Sequence, residues 1–281
     1  MSKRGMRSLA VLLAATILAI AVPASAGIVT LTAGDSTATI DPDSSAGMYQ
    51  WSVNGVETLN QQWFWFRNDL PEYSGREYSI DEINSPVVTQ FLPVLPNLAV
   101  IDYADTQGRF SIEVTYMLTS GAGLLTADIM ESIKISNSSE EAITFDFFQY
   151  SDFDLNGSTD DNRVEISGGN TVMQSAYGDE TLLISLSETV VSSSPDYYEV
   201  GTYPATLDKL TDADVDDLSD AGSLTGPANL SWAFQWAGRR IEPGQAFLIS
   251  KDKLITMEPV PEPAGLGLIG IALLGLRKRR K

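Results

Sequence analysis

Three features predict an all-β fold, an antiparallel β-sandwich, for this 281-residue chain. Apolar residues recur with a period of two through most of residues 27–257. Gly, Pro and Asn turns interrupt them at roughly ten-residue intervals. Only one short stretch has helical spacing. Many short strands joined by such turns build layered sheets rather than a helical or α/β core.

Residues 49–53 and 56–59 flank Asn54-Gly55, the two-residue signal of a type I′ hairpin. Trp63-Phe64-Trp65-Phe66 places aromatics on both faces of one strand, one face for the core and the other covered or exposed. Phe110, Ile112, Val114, Tyr116 and Leu118 alternate with Ser111, Glu113, Thr115 and Met117, a half-buried strand. Ile133 and Ile135 lead through Asn137-Ser138-Ser139 to Ile143, Phe145 and Phe147, which reads as a strand pair across a polar turn. Leu207, Leu210, Val215 and Leu218 mark one side of a short helix over residues 207–218. Trp232, Phe234 and Trp236 form an apolar strand face. The turn Ile241-Glu242-Pro243-Gly244-Gln245 then feeds a strand over residues 246–250. Residues 120–123 and 168–170 are plausible boundaries, so one domain over 27–257, or two packed sub-sandwiches, is expected.

The ends differ from this middle. Lys3, Arg4 and Arg7 precede an apolar run over residues 9–22 and the A-x-A site Ala24-Ser25-Ala26. This is a signal peptide over 1–26, with an N-terminal signal helix and cleavage before Gly27 by signal peptidase. At the other end, residues 258–281 hold Pro261-Glu262-Pro263, an uncharged run over 264–276 and the cations Arg277-Lys278-Arg279-Arg280-Lys281. The prolines stop any regular element, leaving an extended, accessible segment. A thirteen-residue helix covers about 20 Å, short of the roughly 30 Å bilayer core. The terminal cations hold the end at the cytoplasmic face, with the inner membrane as a transient partner.

Eight of the 18 Lys/Arg lie in residues 1–26 and 261–281, against one of the 37 Asp/Glu, leaving residues 27–260 as the middle. The middle therefore carries ten cations, 36 anions and a formal charge of −26. Such a surface repels nucleic acid and suits divalent cations or solubility outside the cell. The chain has no cysteine, so no disulfide supports the exported fold. It also has no histidine, which removes Ser-His-Asp and Cys-His catalysis and the usual zinc sites.

The ordered tail resembles the PEP-CTERM sorting signal of Gram-negative bacteria. That resemblance implies processing by the membrane protease-transpeptidase exosortase and a destination at the cell surface or in exopolysaccharide. The stretches Gln61–Phe66, Phe147–Leu155, Ser231–Trp236 and Ile249–Lys253, by number 61–66, 147–155, 231–236 and 249–253, resemble a recurring type of secreted PEP-CTERM protein of unknown function. They imply one domain and bring no activity with them.

The best candidate site for an ion is Asp152-Phe153-Asp154-Leu155-Asn156-Gly157-Ser158-Thr159-Asp160-Asp161. Oxygen ligands at positions 1, 3 and 5, Gly at 6 and Asp at 9 match the first three-quarters of an EF-hand loop. Arg163 stands where the bidentate Glu belongs, so the candidate is a weaker calcium loop held by Asp152, Asp154, Asn156, Ser158, Asp160 and Asp161. The same composition without an ion is an Asp/Asn/Gly turn. Asp212, Asp214 and Asp216 form a second acidic run without the glycine. Trp63 and Trp65 are candidate stacking platforms for a glycan, against core packing as the plainer reading. Asp196 and Glu199 in Asp196-Tyr197-Tyr198-Glu199, with Glu165, are candidates for a glycosidase-like carboxylate pair. Together these features give an exported, non-catalytic structural or interaction protein, with a calcium-dependent or glycan-binding module as the alternative and a carboxylate glycosidase behind both.

Overall fold

The computed structural model describes residues 24–25, 27–159, 161–177 and 182–260. The expected signal helix and the hydrophobic helix of the tail lie outside them. Among the described residues, no helix is long and apolar enough to cross a membrane.

Two large, almost wholly antiparallel sheets form a sandwich. One sheet runs Ala24–Ser25, Val87–Phe91, Leu95–Ala104, Phe110–Ser120, Thr126–Asn137, Ala246–Pro259, Leu182–Ser192, Thr171–Tyr177, Asp161–Ser167, Ser223–Ala228. The other runs Tyr197–Thr202, Leu230–Ile241, Ile143–Asp152, Gln61–Asn68, Gly47–Val53, Ser36–Asp41, Val29–Ala33. The short strands Val56–Glu57 and Tyr78–Ser79 pair onto the second sheet. Glu199 and Ala221 form an isolated parallel bridge, and among the named strands of the described residues only Gly47–Val53 beside Gln61–Asn68 is parallel. There Gly47 sits at φ +58°, and a Cβ would meet the Trp63 ring at 2.1 Å and the Gln62 carbonyl oxygen at 2.6 Å. Glycine is what lets the two backbones come together.

The alternating stretches behave as the period of two requires. Phe110–Ser120 buries every second residue from Phe110 to Leu118. Val53 pairs with Val56 across Asn54 (φ 51°) and Gly55 (φ 77°), the hairpin geometry expected. Other expectations are corrected. Residues 120–123 and 168–170 are turns within hairpins of the first sheet, since the strands on either side pair directly. Thr126–Asn137 and Ile143–Asp152 do not pair with each other. Each finds partners distant in sequence, and the polar turn between them crosses from one sheet to the other. Asn137 holds that crossing, donating from Nδ2 to the carbonyls of Glu141 and Ile241. The helix is Ala205–Thr211. Asp212 is already extended and Val215 is exposed, because the acidic residues that follow serve as loop contacts instead.

Aromatics fill the space between the sheets, Trp232, Trp236, Phe64 and Phe66 among them, and Trp51 and Trp63 are as fully buried. Among them lie four charges with no exposed surface, Glu131, Glu188, Lys251 and Lys253. Glu131 is directly opposite Lys251, and Glu188 directly opposite Lys253. Three neighbouring strands thus present a square of alternating charge on the inner face of the first sheet. Glu131 contacts Lys251 and Lys253 at 2.6 Å each, and Glu188 contacts them at 3.4 and 3.6 Å. The second sheet completes the shell. Trp232 donates to Glu188 at 3.0 Å, Gln149 Oε1 accepts from Lys251, and the Phe64 ring lies 5.0 Å from Lys251 Nζ. The square has no net charge, which is what allows it to be buried.

Burial works to raise the Glu131 carboxyl, but the two lysines beside it hold it below its ordinary value of 4.5. A carboxylate whose folded pKa is depressed adds stability that is present above pH 4.5 and lost as pH falls through the folded pKa. Glu131→Gln leaves two buried cations sharing one anion. We expect it to cost about 3–5 kcal/mol at pH 7 in urea unfolding. The deficit relative to wild type should shrink as the pH is lowered beneath 4.5, where wild type loses the same charge.

Candidate functional site

The strand Ile143–Asp152 ties the core to the candidate loop. Gln149 reaches Lys251 across the sandwich, so alternation sends Tyr150 and Asp152 to the opposite face of the sheet. Both are fully buried. The chain then leaves the sheet. Phe153 stacks on Trp232 at 5.4 Å and meets Trp51 edge-on at 6.1 Å. This anchor fixes where the next residues go. Asn156 (φ 67°) and Gly157 (φ 64°) are both left-handed, and Gly157 N donates to the Asp154 carbonyl at 2.7 Å. Asn and Gly are the residues that tolerate this conformation.

Asp152 Oδ2 accepts from Asn60 Nδ2 at 3.0 Å, and its carbonyl accepts from Asn60 N at 3.0 Å. The other carboxylate oxygen, Oδ1, is buried without a partner among the described residues, as is Oδ1 of Asp154. Tyr150 lies beside Ser231, Asp152, Tyr203 and Asp154. Burial pushes the Asp152 carboxyl up to about 6; Asn60 pulls against this and Asp154 adds to it. Burial also raises Asp154. Asn60, with Gln61, Ser44, Ser45 and Ala46, lines an open groove of ≈ 360 Å³. A single side chain, Asn60, thus links the groove to the carboxyl pair.

Of the calcium candidates, the fold brings Asp152 and Asp154 together. Asn156 and Ser158 follow, half-buried, through the left-handed turn. Asp160 and the side chain of Asp161 lie outside the described residues. No group of three or more acidic, His or Cys side chains converges among the described residues.

The glycan expectation for Trp63 and Trp65 is corrected. Both rings are buried, and Trp63 Nε1 donates to Ser79 at 2.8 Å and Asp81 at 3.1 Å. Both faces of this aromatic strand are covered, so neither ring offers a platform. Glu165 pairs with Arg163. Glu199 is committed to Lys209, Thr206 and the Ser219 N–H. The second acidic run meets a cation instead of an ion site. Arg67, lying over the Phe148 ring, contacts Glu77, Asp146 at 2.7 Å, Asp217 at 2.6 Å and the Asp216 carbonyl at 2.6 Å. Sequence reading missed Arg67, Glu131 and Glu188, each an ordinary charged residue at its place in the chain. At the N-terminal cleavage site, Ala24 and Ser25 pair with Val88 and Val87 and Gly27 is exposed. Ala26, Pro261, Glu262 and Pro263 lie outside the described residues.

Residues 259–281 match the PEP-CTERM protein-sorting motif. The chain carries a PEP-CTERM sorting motif. The motif supports export through membrane processing to the cell surface and implies exosortase as the processing partner. No curated protein matches the chain. Among solved structures, a bacterial glucoamylase complexed with acarbose is similar at 11% identity and TM-score 0.53, over 88% of this chain and 35% of that one. A putative kojibiose phosphorylase from human microbiome is similar at 12% identity and TM-score 0.50, over 90% and 33%. This PEP-CTERM chain therefore spans about a third of the length of each, and the likeness is one of fold. It corrects the expectation of a non-catalytic protein, since the same sandwich occurs in a glucoamylase and a phosphorylase.

The folded state raises the Asp152 pKa from 3.8 to about 6, so it binds more protons than the unfolded chain between those values. Stability is therefore lost as pH rises through that window, and ionised Asp152 is a burden at pH 7. Asp152→Asn keeps an acceptor for Asn60 and removes the charge. In chelator at pH 7 we expect it to stabilise by about 1–3 kcal/mol in denaturant unfolding, with the gain gone near pH 4.

Proposed function

We propose that the mature chain, residues 27–257, is delivered to the cell surface or extracellular matrix by its sorting tail and works there on polysaccharide. Signal peptidase removes residues 1–26, the tail holds an inner-membrane intermediate, and exosortase processes it at Pro261-Glu262-Pro263. The observation that carries the reading is the sandwich, shared over most of this chain with a glucoamylase and a phosphorylase. The destination agrees, since the matrix is rich in polysaccharide. The end of the sheet where Ile143–Asp152 stops supplies the chemistry. Ser44, Ser45, Asn60 and Gln61 offer hydroxyl and amide groups along an open groove. Asp152 and Asp154 stand behind Asn60 as a carboxyl pair, the group type that glycosidic chemistry uses.

The test presents purified protein to a panel of bacterial exopolysaccharides and plant glucans and galactans, reading binding by affinity electrophoresis and cleavage by new reducing ends. Retardation or cleavage by wild type is expected, with loss in Asn60→Ala and Asp152→Asn while both remain folded. If wild type ignores every polysaccharide, or the variants act as it does, the assignment fails.

A second reading, calcium in the Asp152–Asp161 turn, is favoured by the unpartnered Oδ1 atoms of Asp152 and Asp154. Without a bidentate Glu, the affinity should be that of extracellular modules, about 10⁻⁴–10⁻³ M. At ten times Kd, one site adds roughly 1.4 kcal/mol. Melting curves with millimolar Ca²⁺ and with chelator decide it: a rise with Ca²⁺ that is lost in the Asp152→Ala, Asp154→Ala double variant supports the ion, and coincident curves remove it.

A further inference from the structure

We propose that Lys251 and Gln149 join in an autocatalytic amide cross-link that ties the two sheets of the sandwich, with Glu131 carrying the protons. Gln149 lies on Ile143–Asp152 of one sheet and Lys251 on Ala246–Pro259 of the other. Lys251 Nζ donates to Gln149 Oε1, so the amine already sits against the carboxamide it would attack. Gln149 Nε2 donates to Ser151 Oγ at 2.8 Å, which holds the carboxamide in one orientation. Glu131 Oε2 is 2.6 Å from Lys251 Nζ. All four groups, Lys251, Gln149, Glu131 and Glu188, are fully buried, with the Phe64 ring over the amine.

The environment favours the chemistry. An amine must lose its proton to become a nucleophile, and a lysine out of water does so most readily. Burial pushes Lys251 down to about 8. Exclusion of water removes hydrolysis as a competitor and strengthens each polar contact. Holding the reacting groups together converts a slow bimolecular aminolysis into a unimolecular one.

The step balances as follows. The Lys251 ammonium gives a proton to the Glu131 carboxylate. The neutral amine attacks Cδ of Gln149 and forms the Nζ–Cδ bond. Glu131 protonates Nε2 as the Cδ–Nε2 bond breaks, and ammonia leaves. Glu131 then takes the extra proton from Nζ. An ammonium, a carboxylate and a carboxamide become a secondary amide, a carboxylic acid and ammonia, with no redox change and no co-reactant. One cation and one anion vanish together, so Lys253 and Glu188 remain as a neutral pair, and the pH dependence given for Glu131 above is that of the chain before this bond forms. In an exported chain without cysteine, this bond would do what a disulfide does elsewhere.

Intact mass and peptide mapping of the denatured mature protein, recovered from cells expressing the full chain, test the proposal. The expected mass is one ammonia below that of the sequence, with a branched peptide joining the segments that contain Gln149 and Lys251. Lys251→Met and Gln149→Leu should each restore the full mass. Glu131→Gln should leave the bond unformed while Lys251 and Gln149 are both present; a wild-type extent of linkage in it would overturn the role of Glu131. A wild-type protein at full sequence mass, with Gln149 and Lys251 in separate peptides, overturns the proposal outright. So does an ammonia loss that maps to Asn54-Gly55 or Asn156-Gly157, where succinimide formation would account for it.

Discussion

The charge square of Glu131, Glu188, Lys251 and Lys253 is the constraint around which the sandwich closes. Each of these groups alone would cost several kcal/mol to take out of water. Together they are neutral, and each cation touches both anions. The arrangement depends on three strands being in register, since a slip of one residue would turn every one of these charges to the other face. It also depends on the opposing sheet. Trp232 and Gln149 bond to the square, so the second sheet must dock at one place for those bonds to form. A core of aromatics and β-branched residues alone would not select the docking position so sharply.

The same strand that contributes Gln149 also places the candidate site. Alternation along Ile143–Asp152 puts Gln149 on the charge square and Asp152, on the opposite face, behind the groove. Phe153, clamped between Trp51 and Trp232, sets the exit of the chain. Asp152 and Asp154 are thereby held as buried carboxyls, Asp152 against Asn60 and the Tyr150 hydroxyl, and Asp154 with an oxygen that no described residue bonds. A carboxyl kept at the expense of stability is a mark of a working site more often than of scaffolding. The acidic exterior fits a life outside the cell: with −26 on residues 27–260, the surface stays soluble and avoids anionic membranes.

Much of this was legible in the chain. The type I′ turn at Asn54-Gly55 and the alternation over Phe110–Ser120 are local properties, and they hold in the structure. Pairing across sheets was not legible. The turn at Asn137-Ser138-Ser139 looks like any hairpin turn, yet it carries the chain between layers, because Thr126–Asn137 pairs within the first sheet and Ile143–Asp152 within the second. The Trp63-Phe64-Trp65-Phe66 strand showed its two aromatic faces but not that both would be covered. The helix ended early because Asp216 and Asp217 are drawn to Arg67, far away in sequence.

The sequence by itself determined the secondary-structure class, the sorting tail and the absence of disulfide and imidazole chemistry. Those follow from periodicity, order and composition, which need no knowledge of what lies beside what. The tertiary structure alone decided that Lys251 and Lys253 are buried, that Glu131 and Glu188 meet them, and that Asp152 stands behind Asn60. A charged residue carries no local mark of burial. Whether it faces water or a counter-charge depends on strands that pair across a hundred residues, and only the closed sandwich brings them together.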